Sequence, residues 1–570
     1  MLGYRQSVRD RANMGDAPRE AVPGSDIKAR WIGLSLFAVV ACALAWRITV
    51  GIDLSDESYY AIFVDDWLKG SIASSPLLPL HQTAALIVYP FARLYAALRG
   101  SETGLFLFLR ALYLVGAVLA ACVLAAFLRR GAEQGQAWLA AAAFLAFVPF
   151  GLPAPSYNTL GEQGLMIALA GIGCAAGATT GISRRVWCIT SALGWAVATV
   201  AYPPLVVVLA FFAGAMMLRL GGSSAGWVRQ YLGLCLVAQV LGWVLVVSAL
   251  GSRKLSDGYI YLQATNDVGG LGRKLGFALE TLASHLGFSM ACLVAIAIGL
   301  LRWRLGPLGS SASLVLLLGF SLAGPPALFL RAHDQITLLA LSGLGLLAGF
   351  ARRATSDAAR LRAVLYATSM AAGSVIAVVA TNSIFNFCVG AAPAAILALA
   401  VPAHQARLTH VVAKAPYAAA LVAFLLTSMT FFYGDLPRAT GRERIGWGVF
   451  AGLAVQPEQA ALLRIMRDEV DPRVGADRTI AAIGRLPGVI LATRARPLMP
   501  SVYSLSSIST ADGVRSTEAF YRQHRASIVT VYRDPYLELA NPLGTDFVTA
   551  YEPVAAFAVP PGTLDVYRRR

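Results

Sequence analysis

Long apolar runs alternate with short polar, arginine-bearing breaks along most of this chain. The length of each run matches a helix crossing hydrocarbon, which takes about 20 residues with 17–25 the usual range. Such runs lie at 31–50, 104–128, 137–153, 162–181, 187–201, 203–218, 231–250, 284–301, 311–330, 335–350, 363–381, 385–402 and 415–433, about thirteen in all. Several are short, and the two beside Tyr202-Pro203-Pro204 read equally as one broken element. Beyond Tyr433 the hydropathy falls for good. The stretch "EQAALLRIMRDEV" there has the spacing of an amphipathic helix, while "RTIAAIG", "GVILAT" and "SIVTVY" read as strands. The pattern predicts an all-α polytopic membrane protein of about 13 transmembrane helices with a small α/β extracytoplasmic C-terminal domain. No internal repeat of the kind common in transporters is visible.

Positive charge orients the spans. With residues 1–30 as a cytoplasmic N-terminal segment, the breaks carrying Arg129-Arg130, Arg184-Arg185, Arg302 with Arg304, and Arg352-Arg353 all fall inside. The short outer turns 154–161, 202–204 and 382–384 hold no Lys or Arg. The run Ala84–Leu98 would invert every later loop if it crossed, so with Arg93 and Arg99 it reads as an interfacial amphipathic helix. The transmembrane domain then spans 31–433, with long outer loops at 51–103 and 251–283, and residues 434–570 form the outer domain. Ala43-Leu44-Ala45 resembles a signal-peptidase site, but the apolar run continues to Val50, which favours an uncleaved first span.

Composition sharpens this picture. Of the 570 residues, 57% are hydrophobic and 14% charged, against about a quarter charged in soluble domains. The net charge of +16 sits in short inter-span clusters rather than in a patch, which argues against nucleic acid as a partner. The seven cysteines lie in apolar runs without pairing or metal-ligand spacing and read as buried small hydrophobes. An alanine- and arginine-rich chain of this kind suggests a bacterium of high GC content, its inner membrane, and a periplasmic outer face.

The chemistry gathers in "DLSDESYYAIFVDDWLKG" (Asp53–Gly70), five carboxylates and one cation directly after the first span. Carboxylates at that lip are costly unless used. Asp56 and Glu57 suit a general base and its partner, or a divalent cation held between them, or a solvated loop. Tyr59 and Tyr60 are belt aromatics or substrate contacts, and Asp65-Asp66 reads as a solvated face. Arg110, inside "GLFLFLRALYLVG", needs an anion, either a phosphate or a loop carboxylate. Arg331 and His333 in "FLRAHDQ" suit a phosphate, and Tyr157 and Asn158 in "APSYNTLGEQG" suit a sugar or an N-capping turn. His81 shares the acidic loop, whereas His285, His404 and His410 form no metal-like cluster. Arg253, Lys254, Arg273 and Lys274 fit anionic headgroups, making membrane lipids a partner.

The order of parts resembles the GT-C superfamily of membrane glycosyltransferases. The resemblance is carried by a first span, "SDESYYA", a Pro/His segment, an interfacial helix and a span beginning "FLFLRAL". Within that superfamily it is similar to the branch of the lipid A aminoarabinose transferase and the protein O-mannosyltransferases. The tail stretch "GVFAGLAVQPEQAALLRIM" also looks like the start of such tails. The resemblance implies an inverting transfer of a sugar from a polyprenyl-phosphate donor to a lipid, glycan or protein acceptor. It implies Asp56 as the catalytic aspartate, Glu57 beside it, and Arg110, Arg331 and His333 on the donor phosphate. Tyr59, Tyr60, His81, Tyr157 and Asn158 are weaker substrate-binding candidates. Relatives of the aminoarabinose enzyme carry Glu-Lys-Pro-Pro where this chain has Leu78-Pro79-Leu80-His81, so neither that sugar nor a metal held there is expected. The alternatives are a transporter or flippase of a lipid-linked glycan, or a catalytically silent scaffold of the same fold.

Overall fold

The first apolar run winds into helix α1 (Pro23–Arg47), and the acidic stretch into α2 (Asp56–Lys69). Both come from a computed structural model that describes residues 23–79, 83–130, 133–220, 225–265, 271–323, 332–345, 347, 357–379, 384–404, 410–430, 442–484, 486–502, 511–533, 549–559 and 562–570. There follow α3 (Thr83–Arg99), α4 (Leu105–Leu128), α5 (Gln134–Ala146), α6 (Tyr157–Ala176) and α7 (Gly181–Ala201). Further helices run Leu205–Leu220, Ala225–Leu250, Ser252–Thr265, Leu271–Ser284, Leu286–Ala323, Ala332–Leu341, Asp357–Val379, Phe387–His404 and His410–Thr430.

Among the described residues, six helices are long and apolar enough to cross a membrane: Ile27–Arg47, Leu105–Leu128, Tyr157–Ala176, Gly226–Leu250, Ala358–Val379 and Val411–Thr430. A seventh is added if Lys274–Ser284 and Leu286–Arg302, bent by 98°, form one broken span. The expected count of about thirteen is not reached on length and composition. Prolines account for part of the shortfall, because a proline lacks the N–H that continues a helix. α5 stops before Pro149, and the run at 203–218 yields a short helix after Pro203-Pro204. The expected spans 284–301 and 311–330 merge in Leu286–Ala323, broken at Gly306 before Pro307. Of the cysteines, Cys42 lies exposed on α1, while Cys174, Cys188, Cys235 and Cys388 are buried as expected.

After the last span, β1 (Glu443–Arg444) pairs antiparallel with β2 (Ala454–Val455). The remaining strands are β3 (Thr479–Ile483), β4 (Arg496–Pro497), β5 (Ile528–Arg533), β6 (Tyr551–Val559) and β7 (Gly562–Arg569), in the order β4-β3-β5-β7-β6. β3 runs parallel to β4 and β5, whereas β7 runs antiparallel to β5 and β6. Two of the strand-like runs become β3 and β5, and "EQAALLRIMRDEV" becomes the helix Pro457–Ile465 continued by a wider turn to Val470. The third, "GVILAT", is instead a 3-10 helix, Pro487–Ala492, buried at every position. Pro487 has no N–H for a ladder, and the Gly488 N–H donates to the Leu54 carbonyl at 2.8 Å rather than to a neighbouring strand.

That contact shows how the C-terminal domain sits. One apolar cluster runs from Tyr60, Phe63 and Trp67 of α2 through Phe106 and Leu109 of α4 to Phe450, Ile480, Val489 and Ile528. Asp65 and Asp66, expected on a solvated face, are accordingly buried at 2% and 0% exposure. Lys69 neutralises Asp65 at 2.7 Å, and Arg496 of β4 reaches Asp66 at 3.0 Å. Lys254 and Lys274 donate to backbone carbonyls, of Ile72 and Ser75 and of Val378 and Val379, so both are committed within the protein.

Replacing Arg496 by Ala removes this partner from the fully buried Asp66 carboxylate and lowers stability by about 1–3 kcal/mol. Thermal unfolding of the detergent-purified protein measures the loss, and adding Asp66→Asn recovers part of it.

Candidate active site

Between α1 and α2 the backbone of residues 48–54 turns without regular structure, with Gly51 in the left-handed region at φ 74°. Its carbonyls converge on a cation. The Arg110 Nη1 donates to the carbonyls of Ile48, Val50 and Gly51 at 2.8, 3.3 and 3.0 Å. The other edge of the same guanidinium binds Glu57 in the bidentate manner, Nε to Oε1 at 2.5 Å and Nη2 to Oε2 at 2.7 Å. Both side chains are 2% exposed, and the Phe106 ring packs 5.2 Å from the guanidinium carbon. Of the two anions open to Arg110 on sequence, a phosphate or a loop carboxylate, the loop carboxylate occupies it.

Two neighbours complete the frame, and neither stood out in the sequence. Arg47, 2% exposed, donates to the carbonyls of Val50 at 3.1 Å and Gly151 at 3.0 Å. The signal was a charge inside the run "AWRITV". Asp53, 3% exposed, caps α2: Oδ1 accepts from the Ser55 N–H at 3.0 Å and hydroxyl at 2.7 Å, and Oδ2 from the Glu57 N–H at 2.9 Å. Acidic and hydroxyl residues just before a helix are the sequence signature of such a cap. Burial, and next the charge of Asp56, push the Asp53 carboxyl up to about 7 against these hydrogen bonds. Arg47, Asp53, Glu57 and Arg110 line one small polar hollow.

Asp56 itself is half-buried and lines a neighbouring cleft with Tyr59, Tyr60, Leu152, Tyr157 and Asn158. Ser156 caps α6, its hydroxyl accepting from the Thr159 N–H at 3.1 Å, so the capping turn read from the sequence is real. The same turn brings Tyr157 and Asn158 to the cleft, and the positive end of the α6 dipole with them. The Asn158 Oδ1 is buried and, among the described residues, has no hydrogen-bond partner. The Tyr60 hydroxyl accepts from the Tyr157 N–H at 3.1 Å, and Tyr157 meets Tyr202 edge-on with centroids 5.0 Å apart. Burial holds the Tyr60 phenol well above its usual range, so it stays neutral. Two residues before Leu152 of the cleft, Phe150 adopts a left-handed φ of 56°, a strained conformation for a non-glycine residue.

The structure therefore brings Asp56, Glu57, Arg110, Tyr59, Tyr60, Tyr157 and Asn158 together. His81 and Arg331 lie outside the described residues, as does the side chain of His333, whose backbone opens the helix Ala332–Leu341. Where a divalent cation was expected between Asp56 and Glu57, the Glu57 carboxylate is held by Arg110. Both Glu57 oxygens are committed to Arg110, and both Asp53 oxygens to the cap. Among the described residues, no group of three or more His, Cys, Asp and Glu side chains is placed to hold a metal ion.

No family model and no curated protein matches the chain. Among solved structures it is similar to ArnT from Cupriavidus metallidurans in the apo state, at 11% identity over 94% of this chain and 97% of that one, TM-score 0.48. It is similar to the same protein bound to undecaprenyl phosphate, at 14% identity over 94% and 97%, TM-score 0.45. A third is the archaeal oligosaccharyltransferase AglB from Archaeoglobus fulgidus in complex with an inhibitory peptide and a dolichol-phosphate, at 13% identity over 95% of this chain and 74% of that one, TM-score 0.48.

Two outcomes follow from the charges. Glu57→Ala leaves the Arg110 guanidinium buried without its carboxylate and costs about 3–5 kcal/mol, seen as a lower unfolding temperature in detergent. Asp53 holds a proton in the folded state that the unfolded chain, with a carboxyl near 4, has already lost. Its contribution to stability is thus complete below about pH 4 and is lost as pH rises through about 7. Unfolding temperature followed from pH 4 to 8 falls more steeply for wild type than for Asp53→Asn.

Proposed function

We propose that this chain is an inverting glycosyltransferase of the GT-C type. It moves a sugar from a polyprenyl-phosphate donor to a lipid, glycan or protein acceptor at the outer face of a bacterial inner membrane. The observation that carries this reading is the half-buried Asp56 on a cleft, beside a buried amide oxygen, Asn158 Oδ1, that has no hydrogen-bond partner among the described residues. A carboxylate so placed is within the chemistry of a general base, and an amide oxygen without a donor suits a sugar or acceptor hydroxyl. The sequence likeness around "SDESYYA" supports the same assignment.

In this mechanism the acceptor oxygen attacks the anomeric carbon from the side opposite the phosphate and gives its proton to Asp56. The bond from the anomeric carbon to the phosphate oxygen breaks, and its electron pair leaves on the polyprenyl phosphate. The sugar is inverted, and Asp56 returns the proton to water. Glu57 and Arg110 hold the start of α2 in place. The dipole of α6, with Arg331 and His333 as the phosphate ligands implied by the resemblance, stabilises the departing charge.

One observation favours a rival. Glu162 in α6, one turn beyond Asn158, is 2% exposed with no partner for Oε1 among the described residues, and an acid within a span suits a transport path. Sugar transfer separates the two. In membranes of a deletion strain given labelled polyprenyl-phosphate sugars, wild type labels a new product, and Asp56→Asn, equally expressed and folded, is about 10²–10⁴-fold slower. Equal labelling by both proteins removes Asp56 from the chemistry. Labelled lipid that changes leaflet without transfer selects the transporter.

A further inference from the structure

The segment that carries the acidic pair to its place takes its backbone partners from the opposite end of the chain. The Ala454 N–H donates to the Thr49 carbonyl at 2.8 Å, and the Gly51 N–H donates to the Ala454 carbonyl at 2.8 Å. The Gln459 Nε2 donates to the Ile52 carbonyl at 3.1 Å. The Gly488 N–H, in the 3-10 helix, donates to the Leu54 carbonyl at 2.8 Å. Residues 49, 51, 52 and 54 are thus each held by the C-terminal domain. They lie in no helix or strand that would set their register locally.

Gly488 also sets a distance. A Cβ added there would stand 2.6 Å from the Ser58 Cβ and 2.8 Å from the Leu54 carbonyl oxygen, closer than real Cβ atoms come. Ser58 lies in the first turns of α2, two residues beyond Asp56, and its hydroxyl donates to the Asp53 carbonyl at 2.6 Å. A methyl group at 488 would therefore push on both the loop and the helix that present Asp56.

We propose that Gly488 and Gln459 are positioning residues for sugar transfer: through them the C-terminal domain sets where Asp56 stands against the acceptor. This rests on the glycosyltransferase reading. It gives the outer domain a defined task, which is to complete the backbone of the catalytic loop.

The test compares wild type, Gly488→Ala, Ser58→Gly, the double variant and Gln459→Ala. Two readouts are taken: kcat and donor KM for sugar transfer, and amide hydrogen exchange over residues 49–58 of the intact protein in detergent. Gly488→Ala is expected to lower kcat by about 10- to 100-fold, because displacements of about 1 Å cost that much, with donor KM within about twofold. Ser58→Gly removes the opposing Cβ, so the double variant runs at least about fivefold faster than Gly488→Ala despite the helix glycine, a coupling that a merely unfolded domain would not show. Gln459→Ala introduces no clash. It lowers kcat by about threefold or more and speeds exchange at 51–53, which keeps the proposal testable if Gly488→Ala does not fold. Wild-type kcat in both Gly488→Ala and Gln459→Ala, or a double variant no faster than Gly488→Ala, overturns the assignment. If no protein transfers sugar, the glycosyltransferase reading fails by itself, and exchange over 49–58 still decides whether the domain holds the loop.

Discussion

A guanidinium six residues into an apolar helix must find acceptors for five N–H donors where no water competes, and the arrangement around Arg110 follows from that demand. Glu57 accepts from Nε and from one N–H of Nη2, and the carbonyls of Ile48, Val50 and Gly51 surround Nη1. A pair buried this deeply contributes little net stability, since desolvation offsets the attraction. Its effect is geometric. Glu57 cannot leave without stranding a buried charge, so the first turn of α2 has one position, and Asp56 in that turn is fixed with it.

The C-terminal domain extends this constraint. A small sheet domain at the end of a membrane protein is easily pictured as a separate cap. Here it shares one apolar cluster with α2 and α4, and its Arg496 neutralises an aspartate of α2. The acidic helix is thus clamped on two sides, by an arginine of the membrane bundle and by the sheet domain. The face of α2 with Asp65 and Asp66 is polar by composition and buried by assembly, which is why both carboxylates come with cations attached.

Much of this was legible in the chain. Apolar runs located the helices because a span needs continuous hydrophobicity, a local property. "RTIAAIG" and "SIVTVY" became strands because β-branched residues in short runs suit a pleated sheet. "GVILAT" has the same composition and failed, since the proline before it and the distant Leu54 carbonyl outweigh local preference. Asp56 was singled out because an acidic pair directly after an apolar run is conspicuous. Arg47 and Asp53 were passed over, one lost in an apolar run and the other overshadowed by its neighbours, although each is buried and hydrogen-bonded within the site.

By itself, then, the sequence determined a membrane-embedded helical body, a sheet-bearing tail and an acidic pair directly after the first apolar run, all of which depend on neighbours a few residues apart. The tertiary structure decided what each charge is for. It gave Arg110 to Glu57, turned Asp65 and Asp66 inward, left Asp56 on the cleft, and brought residues 454, 459 and 488 against the loop at 49–54. Such pairings join positions hundreds of residues apart, and they form because a buried charge or backbone group takes whatever partner the folded chain brings within reach.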